Sequence, residues 1–97
     1  MNEHVEQFLG KVSDIVSKNR APTGVLGSTN SQSVLMDLLK ESSKLPVAIE
    51  VNKTKEQIQE ITGVLHVVQA MNLISFDELR ELIITLDNIK GKEELQL

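Results

Sequence analysis

The sequence predicts an all-α protein, a small helical bundle built on a C-terminal helical hairpin with a tethered N-terminal amphipathic helix. Three observations predict this class. Apolar residues recur every three or four positions through most of the chain, which is the spacing of a buried helix face. Two capping-box patterns mark helix starts in its second half. No two segments make good partner strands, and an isolated strand is not stable.

The length of 97 residues suits one domain, residues 1–97, rather than two. Within it, an N-terminal unit spans residues 1–18, with a helix over 3–18. The apolar residues of this helix fall on one narrow stripe, which suits a groove of its own bundle or of another subunit. They are Val5, Phe8, Leu9, Val12, Ile15 and Val16. The polar face mixes acids with lysines, whereas a membrane-surface helix usually has a basic face.

A linker is predicted over residues 19–32, where Gly, Ser, Thr and Asn dominate. Asn19 can end the first helix, and Pro22 prevents its resumption. The glycines at 24 and 27 do not form a phosphate-binding loop, because no lysine follows the second glycine and no strand precedes the first. The linker is long enough to let the first helix exchange between subunits.

The helical core is predicted over residues 33–91, and the tail at 92–97 is expected to be frayed or loosely docked. A short helix over 33–44 opens the core and turns Met36 outward. Its buried residues are Val34, Leu35, Leu38 and Leu39.

Residues 45–53 are ambiguous. Val47, Ile49 and Val51 alternate as in a strand. However, Val47 and Val51 also begin an apolar seam that recurs every three or four residues as far as Val68, and this favours one helix from about 46 to 72. The other possibility is a helix that begins at Thr54, with Thr54 and Gln57 as its capping box.

The hairpin consists of this third helix and a fourth, joined at Asn72–Ser75. Ser75 and Glu78 form the second capping box, and Ile74 with Leu79 has the spacing of a hydrophobic staple. Gly91 is predicted to stop the fourth helix. The predicted buried residues of the fourth helix are Phe76, Leu79, Leu82, Ile83, Leu86 and Ile89, with Ile84 on the opposite side.

The third helix is apolar over about half its circumference, which is more than a surface helix of a small bundle needs. The excess predicts contact with a partner or a second subunit. Gly63 and Ala70, one heptad apart, would let a second backbone approach closely. The predicted partner or oligomer interface is Met36, Gly63, Val64, Val67, Ala70, Met71 and Ile84.

Composition argues against several classes of function. The net charge is −4 and Arg20 and Arg80 are the only arginines, whereas a nucleic-acid-binding protein normally carries a basic patch. Absence of cysteine excludes thiolate chemistry. His4 and His66 lack a second ligand at helical spacing, and no Ser, His and acid form a local motif. We therefore expect neither an enzyme nor a metal or other cofactor.

A cytoplasmic protein that does not bind membranes is expected. No apolar run approaches the roughly 20 residues that span a bilayer. The first residues are acidic and amphipathic rather than basic and then apolar, so they do not form a secretory signal.

The leading hypothesis is a non-enzymatic, oligomeric interaction module that binds and regulates or inhibits a partner protein. The alternative is an oligomeric small-ligand binder that uses a polar stripe along the third helix, formed by Gln59, Thr62, His66 and Gln69. A third possibility is a helix-turn-helix DNA-binding regulator. Its recognition helix would carry Arg80 as the only base against four acids, which makes DNA a poor partner.

The corner at Asn72–Ser75, between an apolar helix and an acidic helix start, resembles that of many short helical proteins of Gram-positive bacteria and their phages. The resemblance covers Thr54 to Ile89. It implies a mobile-element accessory or anti-defence protein as one context for the interaction hypothesis.

Overall fold

A computed structural model describes residues 3–19 and 29–95, and gives the side-chain environment of residues 3–19 and 32–89. The predicted all-α class is confirmed, and the described residues contain no strand. Within the described ranges, five helices follow one another: α1 (Glu3–Lys18), α2 (Thr29–Ser43), α3 (Leu45–Glu50), α4 (Thr54–Ala70) and α5 (Phe76–Leu95).

The four long helices form an antiparallel bundle, in the order α1, α2, α4 and α5 around its axis. Hydrogen bonds near helix ends give the directions. Asn19, after α1, donates from its side chain to the Leu73 carbonyl just before α5 (3.1 Å). Gln57, in the first turn of α4, donates to the Glu41 carbonyl near the end of α2 (2.8 Å). In this order α2 and α5 lie at opposite corners of the bundle.

The core is aliphatic apart from Phe8, and each long helix contributes one face. The predicted stripe of α1 is confirmed, with Leu9 and Val16 at its half-buried edges. Leu35 and Leu38 of α2 are buried as predicted, and Met36 is exposed. The buried apolar residues of α4 and α5 are Ile58, Ile61, Leu65, Val68, Leu79, Leu82, Leu86 and Ile89.

Two predicted helix ends are wrong. α2 begins at Thr29, so residues 29–32 belong to a helix rather than to the linker. Residues 20–28 lie outside the described part of the chain. α5 continues past Gly91 to Leu95 and takes in most of the predicted tail. A glycine inside a helix costs only about 1 kcal/mol relative to alanine, and the Lys-Glu-Glu-Leu segment that follows favours the helix.

The continuous helix predicted from about 46 to 72 is also wrong, because the chain breaks between α3 and α4. Asn52 has φ 59°, in the left-handed region. The Asn52 N–H donates to the Ile49 carbonyl (3.3 Å) and the Lys53 N–H to the Ala48 carbonyl (2.7 Å). These two bonds are the Schellman motif that ends a helix. Residues 45–50 are therefore helical, as the favoured interpretation predicts, and the next helix begins at Thr54, as the alternative interpretation predicts.

Three residues near helix starts differ from prediction. Thr54 does not cap α4, because no side chain makes a capping hydrogen bond at the start of that helix. The side chain of Gln57 donates a hydrogen bond to the Glu41 carbonyl of α2 instead. Phe76 is 71% exposed rather than buried. It lies about 100° round α5 from the centre of the buried face, while Ile74 and Leu79 fill that end of the core.

Candidate docking groove at the α2–α3–α4 corner

The short helix α3 and the residue that follows it each present an apolar side chain to solvent. Pro46 at its start fixes a helical φ, and Leu45 and Ala48 are buried against the bundle. Val47 and Val51, one turn apart, are 60% and 56% exposed. The buried apolar face of α4 therefore does not include Val47 and Val51, contrary to the prediction. The break at Asn52 gives α3 a direction that differs from that of α4.

These valines line a groove of about 490 Å³ between the end of α2, α3 and the start of α4. Its surface is mostly apolar. The lining residues are Lys40, Ser43, Lys44, Val47, Ala48, Val51, Lys53 and Gln57. Three of them are lysines and none is acidic, although the whole chain has a net charge of −4.

Glu41 lies beside the groove and is held by Gln57. The Gln57 Nε2 donates to the Glu41 carbonyl at 2.8 Å and to its Oε1 at 3.1 Å. This hydrogen bond is the largest cause that lowers the pKa of Glu41, with a smaller contribution from Lys44. The Lys44 Nζ is 3.3 Å from the Glu41 Oε2. Among the described residues, Lys40 and Lys53 make no ion pair within 4.0 Å, although Lys40 also contributes to lowering the pKa of Glu41.

Two buried hydroxyls lie at the same corner without a hydrogen bond among the described residues. They are the Oγ of Ser42, near the end of α2, and the Oγ1 of Thr54, at the start of α4. A buried polar group without a partner costs about 1–3 kcal/mol. The first N–H groups of α4 also lack a side-chain cap. The corner therefore has weaker local hydrogen bonding than a capped helix start.

The predicted interface residues do not converge on one surface. Met36 lies on the outward side of α2 and Ile84 on the outward side of α5, at opposite corners of the bundle. On α4, Val67 is exposed, whereas Val64 packs against the core of its own chain and Met71 is half-buried. One flat partner cannot contact all of these residues at once.

Gly63 and Ala70 remain available for a close approach. Both are exposed on α4, and a Cβ on Gly63 would meet nothing within 4 Å.

The predicted ligand stripe is a surface strip of α4. Gln59 and His66 are exposed, and Thr62 and Gln69 are half-buried. The structure brings these four side chains to one side of the helix, as their spacing predicts, and none of them belongs to a group of three possible metal ligands among the described residues.

A second, smaller cavity of about 200 Å³ lies between α1 and α5. Its lining carries both signs of charge, including Lys11, whose Nζ is 3.5 Å from the Glu81 Oε2. Glu78 also lines it, and that carboxylate is engaged by the start of α5. Because the lining carries both signs of charge and several of these groups are already paired, this cavity does not favour a ligand of either charge.

Within the described ranges, no three His, Cys, Asp or Glu residues are grouped so that they could hold a metal ion. None of the helices there has the length and apolar character to cross a membrane. Searches against protein-family models, curated proteins and solved structures gave no match.

Sequence reasoning missed the groove because it placed Val47 and Val51 in the core. One signal was present: Val47 follows Lys44 by three residues, and Val51 precedes Lys53 by two. The exposure of the valines depends on the direction that the chain takes after Asn52, and periodicity does not report that direction.

Proposed function

We propose that the protein is a non-enzymatic helical interaction module that binds and regulates or inhibits a partner protein. The groove at the α2–α3–α4 corner is its binding surface, and the occupant is a segment of that partner. The observation that carries the proposal is the pair of exposed valines in a concave, lysine-rimmed groove. Concave apolar sites with a few polar groups at the edge are the usual form of a binding site.

Exposure of the two valines has no evident structural purpose in the single chain. Val47 and Val51 contribute little to the core, and a polar residue at either position would be at least as soluble. Their neighbours Leu45 and Ala48 already anchor α3 to the bundle. A partner that covers the valines would remove apolar area from water, which is the main driving force of protein association.

Site-specific crosslinking tests the proposal. The chain contains no cysteine, so one introduced thiol reports on one position. Val47→Cys carrying a photoactivated crosslinker is compared in host cells with Met36→Cys, an exposed apolar position on α2 outside the groove. We expect one defined adduct from position 47 and none from position 36. The captured protein, once purified, should bind Val47→Glu about tenfold more weakly than wild type.

Adducts of the same kind from both positions, or unchanged affinity of Val47→Glu, would contradict the proposal. Far-ultraviolet circular dichroism and a thermal melt show whether Val47→Glu is folded. We expect that it is, because the side chain is already exposed.

Self-association through α4 is a separate part of the proposal, supported by exposed Val67 beside the small residues Gly63 and Ala70. Sedimentation velocity tests it. Val67→Glu should shift the protein towards monomer more than Gln59→Glu, which adds the same charge elsewhere on α4. Equal effects of the two substitutions, or a monomeric wild-type protein, would remove self-association and leave the groove proposal standing.

A further inference from the structure

The groove has both a shape and a charge, and together they restrict its occupant. We propose that it receives an acidic amphipathic helix of the partner, whose apolar side covers Val47 and Val51 while its carboxylates reach Lys40 and Lys53. This inference rests on the proposed function and specifies the chemistry of the partner segment.

The shape favours a helix. Val47 in α3 and Val51 at its C-cap are four residues apart, so their side chains form a short ridge at the end of α3. The groove of about 490 Å³ beside that ridge is bounded by the end of α2 and the start of α4. A helix with apolar residues three and four apart fits a ridge and groove of this kind.

The charge favours acidic residues in that helix. Lys40 and Lys53 come from two different helices and border the apolar surface. Neither makes an ion pair among the described residues, whereas Lys44 is paired with Glu41. The net charge of −4 belongs to the whole chain, whereas the residues that line the groove include three lysines and no acid, and Glu41 beside the groove is engaged by Lys44 and Gln57. Lysine stems can also extend the apolar surface while their ammonium groups reach the partner.

A membrane surface is the less favoured occupant. Helices that lie in a membrane surface present a long apolar face with a basic opposite face. α3 has six residues, and its two valines lie in a concave surface between other helices. A flat bilayer would leave most of that surface uncovered, whereas a helix would fill it.

Designed peptides test the inference. The probe is a fluorescent peptide of about 18 residues, five helical turns, with leucines at helical spacing and glutamates beside them. A matched peptide has lysine in place of every glutamate. Fluorescence anisotropy should show at least about tenfold tighter binding of the acidic peptide to the intact protein. Raising the salt from about 50 mM to about 300 mM should weaken it several-fold.

Variants locate the binding. Val47→Ser should weaken the acidic peptide about tenfold, and Lys53→Glu about threefold to tenfold. Lys55→Glu changes the same charge two residues away, outside the groove lining, and should change affinity less than twofold. Val67→Ser, an equal truncation on exposed α4, should have no effect. Thermal melts of all four confirm that they are folded.

Equal binding of both peptides, or no binding of the acidic peptide, would overturn the inference. A crosslinked partner at position 47 together with failure of the acidic peptide would leave the interaction function in place and reject its acidic specificity. Preferential binding to phosphatidylserine vesicles, lost in Val47→Ser and Lys53→Glu alike, would assign the surface to membranes instead. Loss of affinity in Lys55→Glu equal to that in Lys53→Glu would also reject the groove as the site.

Discussion

The α3–α4 corner and the α4–α5 corner reverse the chain in the same way. Asn52 and Asn72 have φ 59° and 61°. At each, the asparagine N–H and the next N–H donate to carbonyls of the preceding helix, from Lys53 to Ala48 at 2.7 Å and from Leu73 to Val68 at 3.1 Å. Both are Schellman motifs with asparagine in the left-handed position. The two corners therefore differ in what surrounds the turn rather than in the turn.

The α4–α5 corner is closed. The Glu78 backbone N–H donates to the Ser75 Oγ (3.1 Å), and the Ser75 N–H donates to the Glu78 Oε1 (3.0 Å), which confirms the predicted capping box. Ile74 is buried, and Asn19 ties the end of α1 to the Leu73 carbonyl.

The α3–α4 corner has an uncapped helix start, an exposed Val51 and two buried hydroxyls without partners. The same backbone reversal can therefore close a core or leave apolar side chains exposed.

The largest expected difference between the corners is in the cost of truncating an aliphatic residue. Ile74→Ala should lower the free energy of unfolding by about 2–4 kcal/mol, because it leaves a cavity in the closed corner. Val51→Ala should change it by less than about 0.5 kcal/mol, because the side chain is already exposed. Urea denaturation measures both. A cost for Val51→Ala near that of Ile74→Ala would show that the open corner is part of the core.

Substitutions at the starts of α5 and α4 should change the stability of the protein in opposite directions. Ser75→Ala should destabilise the protein by about 1 kcal/mol, because it removes a cap hydrogen bond. Thr54→Val should stabilise it by about 1 kcal/mol, because it replaces a buried hydroxyl that lacks a partner by a methyl group of similar size. The two changes in melting temperature should have opposite signs. A destabilised Thr54→Val would mean that the hydroxyl is satisfied in solution.

The two asparagines should behave alike, since the turns are alike. Asn52→Ala and Asn72→Ala should each cost about 1 kcal/mol, because alanine adopts the left-handed conformation less readily than asparagine. Asn52→Gly and Asn72→Gly should be neutral or slightly stabilising. Chemical denaturation of the four variants checks this. If only Asn72→Ala lowered the free energy of unfolding, the turn at Asn52 in the α3–α4 corner would not persist in solution.

The smallest expected effect is on acid stability. The backbone N–H of Ser75 is the main group that lowers the pKa of Glu78 in the folded protein, below the ordinary 4.5. Its contribution is therefore present above about pH 4.5 and is lost as the pH falls through the lowered folded pKa. Unfolding midpoints from about pH 6 to about pH 3 should fall less steeply in Glu78→Gln than in wild type.

Ser75→Ala provides the control for that measurement, because alanine keeps the backbone N–H that acts most strongly on Glu78. It should therefore retain most of the pH slope. At the open corner, Glu41→Gln should also flatten the slope, since the Gln57 hydrogen bond lowers the pKa of Glu41. Identical slopes in wild type, Glu78→Gln and Glu41→Gln would contradict the assignment.

Prediction from sequence succeeded where the deciding interaction is local. The capping box at Ser75 joins residues three apart, and the stripe of α1 depends only on helical spacing. The all-α class follows from the same periodicity. Prediction failed where a distant residue competes for the same hydrogen-bonding group. The spacing of Thr54 and Gln57 predicted a capping box, but the Gln57 side-chain amide donates to the carbonyl of Glu41, 16 residues earlier.

The candidate groove was not predicted for a related reason. An apolar side chain can be assigned to a core from its spacing, but whether that position faces the core depends on the direction of its helix. Val47 and Phe76 both fit a buried pattern in sequence and are both exposed in the fold. Conversely, Met36 and Ile84 were correctly placed outside the core, because the packed side of their own helices is unambiguous.

The sequence by itself determined that this protein is helical, which face of α1 is buried and where α5 begins. These features depend on contacts within a few residues, so the order of side chains is sufficient to specify them. The tertiary structure decided between the two predicted starts of the third helix, about residue 46 or Thr54, and it alone showed that Val47 and Val51 line a lysine-rimmed groove. A break of one residue in the left-handed region redirects every side chain before it, and packing of Leu45 and Ala48 on the bundle selects the direction.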